Sequence, residues 1–228
     1  MTIFPHSGTG PGSITPDGSP VEFYTRLRPR GEAEIVGQVT PSGGSVLELG
    51  SGVGRVTHAL LEHGFEVVAV DESAEMLARV RGAETVLSRI QDLRLERRFD
   101  AVMLASYLVH TADEAGRRAL LSACARHVAP GGAVLIQWTP PEKHDARQAG
   151  TGRTDGDITI TLAAHEEVEP GLFSATMRYV HGDQVWTQSF TSRRLSDDDL
   201  RAALAESGLH LDRFLTDDRE WVLAVPAA

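Results

Sequence analysis

The alternation of five short β-favouring apolar runs with helical stretches constrains this chain more than any other feature. The runs are Val46-Leu47-Glu48-Leu49, Val67-Val68-Ala69-Val70, Thr85-Val86-Leu87, Ala101-Val102-Met103-Leu104 and residues 133–138. Between them, residues 56–63 put Val56, Leu60 and Leu61 on one helical face, and Ser73 is placed to cap a helix containing Met76, Leu77 and Val80. A helix from about 114 to 128 stops at Pro130-Gly131-Gly132. Strands that are apolar throughout belong in a parallel sheet covered on both faces, and right-handed crossovers make that sheet doubly wound. Ligands of such sheets bind beyond the carboxyl ends of the strands, where strand order reverses. Every residue just after a strand is therefore a candidate.

From about residue 156 the pattern changes to extended segments over 158–162, 173–180 and 184–191, with His181-Gly182-Asp183 suited to a hairpin turn. This reads as a small antiparallel insertion of two or three strands after the fifth strand. Ser196-Asp197-Asp198-Asp199 opens a helix with acids in its first turn, and residues 209–215 and 221–225 supply two closing strands. The expected fold is α/β, with a doubly wound, mostly parallel seven-stranded sheet. It forms one domain over 20–228, with its core at about 41–139 and 193–228, a helical lid at 20–40 and a substrate cap at about 140–192.

Residues 1–19 hold Pro5, Gly8, Gly10, Pro11, Gly12, Pro16 and Gly18, and are expected as a flexible arm. A basic start followed by an apolar stretch is missing, and no apolar run nears the roughly 20 residues of a membrane span. The reading is thus of a cytoplasmic protein with no membrane partner. Net charge is −10 and the basic pairs Arg97-Arg98 and Arg193-Arg194 extend no further, which argues against a nucleic-acid partner. The single cysteine, Cys124, excludes an internal disulfide and a cysteine-built zinc site, and reads as a buried inert thiol. Histidines and acids show no tight ligand spacing, so no metal is expected. A monomer or homodimer is expected.

The most informative segment is Glu48-Leu49-Gly50-Ser51-Gly52-Val53-Gly54, between the first strand and the first helix. Its glycines let the backbone turn tightly and approach a ligand. A dinucleotide site would read G-x-G-x-x-G around a pyrophosphate. Here the spacing is G-x-G-x-G, and Glu48 would repel phosphates while suiting an ammonium group. That contrast favours S-adenosylmethionine over NAD. Asp71, at the end of the second strand, can accept from both hydroxyls of a ribose, or it can stabilise the turn before Ser73. After the third strand, Asp92 can accept from an adenine amino group while the Leu93 amide reads a ring nitrogen; a solvated loop acid is the plainer alternative.

These residues, with Val70-Asp71-Glu72-Ser73-Ala74-Glu75-Met76-Leu77, Asp100-Ala101-Val102 and Val128-Ala129-Pro130-Gly131-Gly132, resemble the class I S-adenosylmethionine-dependent methyltransferases. The likeness covers about 45–138 and, more loosely, the tail from Leu195. It implies that Glu48, Gly50, Gly52, Gly54 and Arg55 hold the methionine part. Asp71 would hold the ribose and Asp92 with Leu93 the adenine, with Met76 packed near the adenine or ribose; Glu72 and Gln91 are further cofactor-binding candidates. Ala105 would lend its carbonyl, and Tyr24 would close over the cofactor. S-adenosylhomocysteine would be the product.

The resemblance stops at 139–192 and at the first 20 residues, where a small-molecule acceptor would be selected. Methyl transfer needs an in-line nucleophile in a water-poor site, and a base only when the acceptor loses a proton during attack. Candidate bases and contacts are His110, Tyr107 and His144. Trp138, Tyr179 and His181 are candidate pocket walls, with Met177, Tyr179 and His181 on one strand face. A cyclase or pericyclic catalyst using the same cofactor is the alternative function, and a nucleotide-dependent oxidoreductase is opposed by the loop spacing.

Overall fold

In the computed structural model, which describes residues 6–227, twelve strands form two sheets. Along the chain these are β1 (Ser7–Thr9), β2 (Ser45–Leu49), β3 (Glu66–Asp71), β4 (Glu84–Leu87), β5 (Phe99–Leu104), β6 (Val128–Gln137), β7 (Gly152–Asp155), β8 (Ile158–Glu169), β9 (Leu172–His181), β10 (Gln184–Arg193), β11 (Leu209–Phe214) and β12 (Trp221–Pro226). The helices are α1 (Val21–Tyr24), α2 (Glu32–Gly37), α3 (Arg55–Glu62), α4 (Ala74–Leu77), α5 (Glu114–His127), α6 (Pro141–Asp145) and α7 (Asp197–Glu206). The chain divides into two units. One is Arg28–Pro140 with Leu195–Ala228, the other Met1–Leu27 with Pro141–Arg194.

The first unit holds the seven-stranded sheet in the order β11-β12-β6-β5-β2-β3-β4. Strands β2 to β6 pair in parallel, while β12 runs antiparallel to β6 and β11 antiparallel to β12. Strand order reverses at β2, between β3 and β5. Alternate residues feed two cores: Leu47, Leu49, Val68, Val70, Val102 and Leu104 on one face, Val46, Val67, Ala101 and Met103 on the other. Burial on both faces is why these strands are apolar throughout. Each fully buried Leu or Val contributes roughly 1.5–3 kcal/mol.

The helices begin where their sequences say they should. Ser73 Oγ accepts from the Met76 amide at 3.2 Å, Asp113 caps α5, and Ser196 with Asp199 forms a capping box on α7. Cys124 lies buried in α5, and burial pushes its thiol up to about 12, consistent with an inert core residue.

The second unit bears out the antiparallel insertion after the fifth strand of the main sheet, but it has more strands than the two or three expected. It is a five-stranded antiparallel sheet, β1-β10-β9-β8-β7, and its outermost strand comes from the N-terminal segment. Over residues 6–19 the expected flexible arm is therefore tied down; residues 1–5 lie outside the described residues. The glycines there serve close packing. A Cβ on Gly10 would come within 2.3 Å of the Trp186 ring, and Trp186 Nε1 donates to the Pro11 carbonyl at 2.7 Å. Phe23 from α1 stacks on Tyr179 with ring centroids 4.2 Å apart, over a small core with Ile158, Ile160 and Trp186. The helical lid expected over 20–40 is also divided, with α1 in this unit and α2 in the other.

Candidate functional site

The loop between β2 and α3 sits at the switch point. The Gly50 and Ser51 amides both donate to the Val70 carbonyl at 2.9 Å, fastening the loop to the end of β3. Gly50, Gly52 and Gly54 have φ of 76°, 56° and 82°, in the left-handed region that costs other residues about 1–2 kcal/mol each. Space adds a second demand at Gly50, where a Cβ would lie 2.9 Å from Leu108 Cδ1 and 3.8 Å from Ile90 Cδ1. Gly50 thus marks where the segments following β2, β4 and β5 converge.

Asp71 binds this loop directly. Its Oδ2 accepts from the Gly52 amide at 2.8 Å, and its Oδ1 accepts from the Ser73 amide at 2.9 Å. The turn-stabilising role is therefore realised, and the same contacts hold the carboxylate beside the glycines. Met76 is buried on α4, its Sδ 4.0 Å from where a Cβ on Gly52 would be.

Glu48 is a buried carboxylate whose Oε2 accepts from Thr57 Oγ1. Burial pushes its pKa up to about 7; the Thr57 hydrogen bond and the Arg55 charge oppose the shift, while Glu32 and Asp71 add to it. Among the described residues no donor bonds Oε1. Arg55 is committed elsewhere, with its Nη1 2.6 Å from Glu32 Oε1 and 3.1 Å from the Arg28 carbonyl. The Ser51 hydroxyl, which sequence reasoning passed over, is buried with no hydrogen-bond partner among the described residues. A buried carboxylate with an open oxygen and an orphaned hydroxyl fit a zwitterion, the ammonium toward Glu48 and the carboxylate toward Ser51. The methionine part of S-adenosylmethionine is such a group.

A 3-10 turn over Ile90–Asp92 carries Asp92. Asp92 is exposed, its carboxylate 4.0 Å from Arg89, and Arg89 also approaches Glu72 at 3.8 Å. The Leu93 amide donates to the Ile90 carbonyl at 3.3 Å while its side chain enters the core, and the Gln91 carbonyl accepts from Arg94. Ala105 is buried at the end of β5, and its carbonyl accepts from the Leu108 amide at 3.3 Å.

The turn after β5 is strained. Ser106 and Tyr107 have φ of 55° and 59°, unusual for residues with a side chain. Ser106 is steadied by its amide donating to Gln137 Oε1 at 2.9 Å, and the Tyr107 hydroxyl donates to Glu220 Oε2 at 3.2 Å. Glu220, just before β12, is a residue the sequence reading did not single out. Two of the candidate residues are buried here. His110 is buried with its Nε2 accepting from the Thr139 amide at 2.8 Å. Trp138 is wholly buried in the core, donates from Nε1 to the Arg219 carbonyl at 2.6 Å and stacks on Phe214.

Tyr24, His144, Tyr179 and His181 belong to the five-stranded unit. The Tyr24 and Tyr179 hydroxyls both donate to Gln188 Oε1 at 3.0 Å, and Gln188 Nε2 donates to Ser19 Oγ. His144 is buried edge-on to Phe173, with ring centroids 4.7 Å apart, and His181 Nε2 lies 2.7 Å from Asp157 Oδ2. Among the described residues no group of three or more His, Cys, Asp or Glu side chains is arranged to hold a metal, and no helix is long and apolar enough to cross a membrane.

Comparison with known proteins identifies the family and the fold. Residues 46–132 match the methyltransferase-domain family. An uncharacterized methyltransferase of Mycobacterium bovis is 36% identical over 193 residues, 79% of this chain and 73% of that protein. The cypemycin N-terminal methyltransferase of a Streptomyces species is 35% identical over 136 residues; the match covers 54% of this chain and 55% of the relative. The solved sugar N-methyltransferase KedS8 of Streptoalloteichus has the same fold, with a TM-score of 0.70 at 21% identity over 96% of this chain and 98% of that one. With its glycine loop, buried Glu48 and Asp71 at the switch point of a seven-stranded sheet, the chain belongs to the class I S-adenosylmethionine-dependent methyltransferases.

Proposed function

We propose that this protein transfers the methyl group of S-adenosylmethionine to a nitrogen nucleophile of a small molecule, leaving S-adenosylhomocysteine. The observation that carries the cofactor reading is the corner formed by Glu48, Ser51, Gly52 and Asp71. In this reading Glu48 holds the ammonium, Ser51 the carboxylate and Asp71 the ribose hydroxyls. Met76 packs beside them, and Asp92 with Leu93 borders the adenine. Nitrogen as the accepting atom is supported by the names of two similar proteins, an N-terminal methyltransferase and a sugar N-methyltransferase. A single buried cysteine suits a reducing cytoplasm.

The cofactor's sulfonium supplies an electrophilic methyl group, so the protein need only orient the acceptor and exclude water. A neutral amine carries its own lone pair and sheds its proton after attack. That chemistry suits a chain whose His110 lone pair is occupied by the Thr139 amide. The five-stranded unit lies outside the matched residues 46–132, and acceptor selection is assigned to it.

The test pairs calorimetric titration of S-adenosylmethionine and NAD with product analysis over a panel of amino sugars, peptide amines and phenols. The expected result is binding of S-adenosylmethionine alone, with S-adenosylhomocysteine and an N-methylated product formed from an amine. Saturable binding of NAD alone would sink the cofactor assignment. Turnover of phenols but not amines would sink the nitrogen assignment.

A further inference from the structure

Three arginines in the seven-stranded unit, Arg94, Arg98 and Arg126, differ from those of this chain that pair with carboxylates. Arg55, Arg97, Arg118, Arg194, Arg213 and Arg219 pair with carboxylates. Among the described residues these three do not, and their hydrogen bonds go to backbone carbonyls instead. Arg94 Nη1 donates to the carbonyls of Leu93 at 2.7 Å and Gln91 at 3.1 Å, and Arg126 Nη1 donates to the same Leu93 carbonyl at 3.1 Å. Two guanidinium nitrogens that share one acceptor lie within about 6 Å of each other, close enough to repel. Arg98 Nη1 holds the Val128 carbonyl at 3.1 Å, and the charges of all three bear on buried His127. Burial and the neighbouring Arg94 charge depress Arg126 itself.

Helix capping explains only part of this. Arg126 ends α5, where a cation complements the helix dipole, yet its bond goes to Leu93 outside that helix. Arg94 is on no helix. Two guanidinium groups that meet on one carbonyl of a chain with net charge −10 concentrate positive charge locally, and the guanidinium fork matches tetrahedral oxyanions. No basic run announces the cluster, because its members are separated along the chain and meet only in the fold.

We propose that Arg94 and Arg126, with Arg98 beside them, form a binding site for a phosphate-type oxyanion, separate from the glycine loop. Through the Gln91 and Leu93 carbonyls Arg94 is anchored to the 3-10 turn that bears Asp92, so the site adjoins the segment assigned to the adenine edge.

The test is titration of the full chain, without cofactor, with inorganic phosphate and pyrophosphate at low ionic strength. Saturable one-site binding is expected, with pyrophosphate the tighter of the two. Arg94→Gln should weaken pyrophosphate binding about tenfold or more. Arg213→Gln, which removes an exposed arginine paired with Asp212, should leave binding unchanged. Arg94→Lys, which keeps the charge and loses the fork, should fall between. Arg94 is exposed, and a melting curve checks that each variant is folded. No saturable binding at millimolar pyrophosphate, or equal affinity for Arg94→Gln and Arg213→Gln, overturns the proposal. Neither result depends on the methyltransferase reading.

Discussion

The Asp71 carboxylate accepts a hydrogen bond from the Gly52 amide at 2.8 Å, joining the end of β3 to the glycine loop after β2. Its other oxygen takes the Ser73 amide at 2.9 Å, so one side chain sets both the loop and the start of α4. Asp71→Ala leaves both amides without this partner and is expected to cost about 1–3 kcal/mol of stability. Cofactor affinity should fall by a similar amount if the same oxygens also receive ribose hydroxyls. Asp71→Asn keeps one acceptor oxygen and should lose less on both counts. Denaturant unfolding and S-adenosylhomocysteine calorimetry on the two variants separate these effects; unchanged affinity in the folded Ala variant removes the ribose role.

Glu48 makes cofactor-free stability and cofactor affinity respond oppositely to pH. Its folded pKa of about 7 lies above the ordinary 4.5, mainly through burial, so the folded chain holds its proton longer than the unfolded chain. Stability therefore declines as pH rises from about 4.5 to 7 and is level above, a change of roughly 3 kcal/mol from this group. An ammonium needs the ionised carboxylate, so cofactor affinity rises up to about pH 7 and then levels. Glu48→Gln should remove this group's part of both slopes and bind the cofactor weakly at every pH. Unfolding and binding curves between pH 5 and 8 are the measurement, and an affinity independent of pH in the wild type contradicts the assignment.

The parts of this architecture that were legible in sequence are those where burial on both faces left a continuous apolar run, as at Val67–Val70 and Ala101–Leu104. Glu48 stood out because a carboxylate two residues before the first loop glycine suits an ammonium rather than a phosphate. Gly10 misled because a glycine packed against Trp186 is indistinguishable in sequence from one in a loose arm. That Trp138 would be tied to the β11–β12 turn through Arg219 had no signal in the sequence, because the two lie 81 positions apart. Ser51 had no sequence signal, since its distinction is an unsatisfied hydroxyl created by the loop's path.

Ser106 holds φ at 55° in the turn after β5. Glycine adopts this conformation freely but carries more unfolded entropy, so Ser106→Gly should leave stability within about 1 kcal/mol of the wild type or raise it. A β-branched residue tolerates it worst, and Ser106→Val should cost about 1–2 kcal/mol. Urea unfolding of both variants tests this; equal stability of Gly and Val would mean that the turn is not strained at this position.

His110 distinguishes a structural histidine from a catalytic one. Its ring is buried, accepts from the Thr139 amide at 2.8 Å and lies parallel to Trp138 with centroids 6.4 Å apart. His110→Ala opens a cavity and strands a buried amide, and the cost should be about 2–4 kcal/mol. His110→Gln keeps an acceptor for that amide and should recover part of the loss. A general base would behave differently. Replacing it would lower kcat in proportion to lost proton transfer and abolish a pH limb near neutrality, without restoration by a neutral acceptor. The expected pattern is therefore a lower Tm for both variants, with kcat per folded molecule and its pH profile close to wild type in His110→Gln. A folded His110→Gln with kcat reduced a hundredfold or more would return His110 to the reaction.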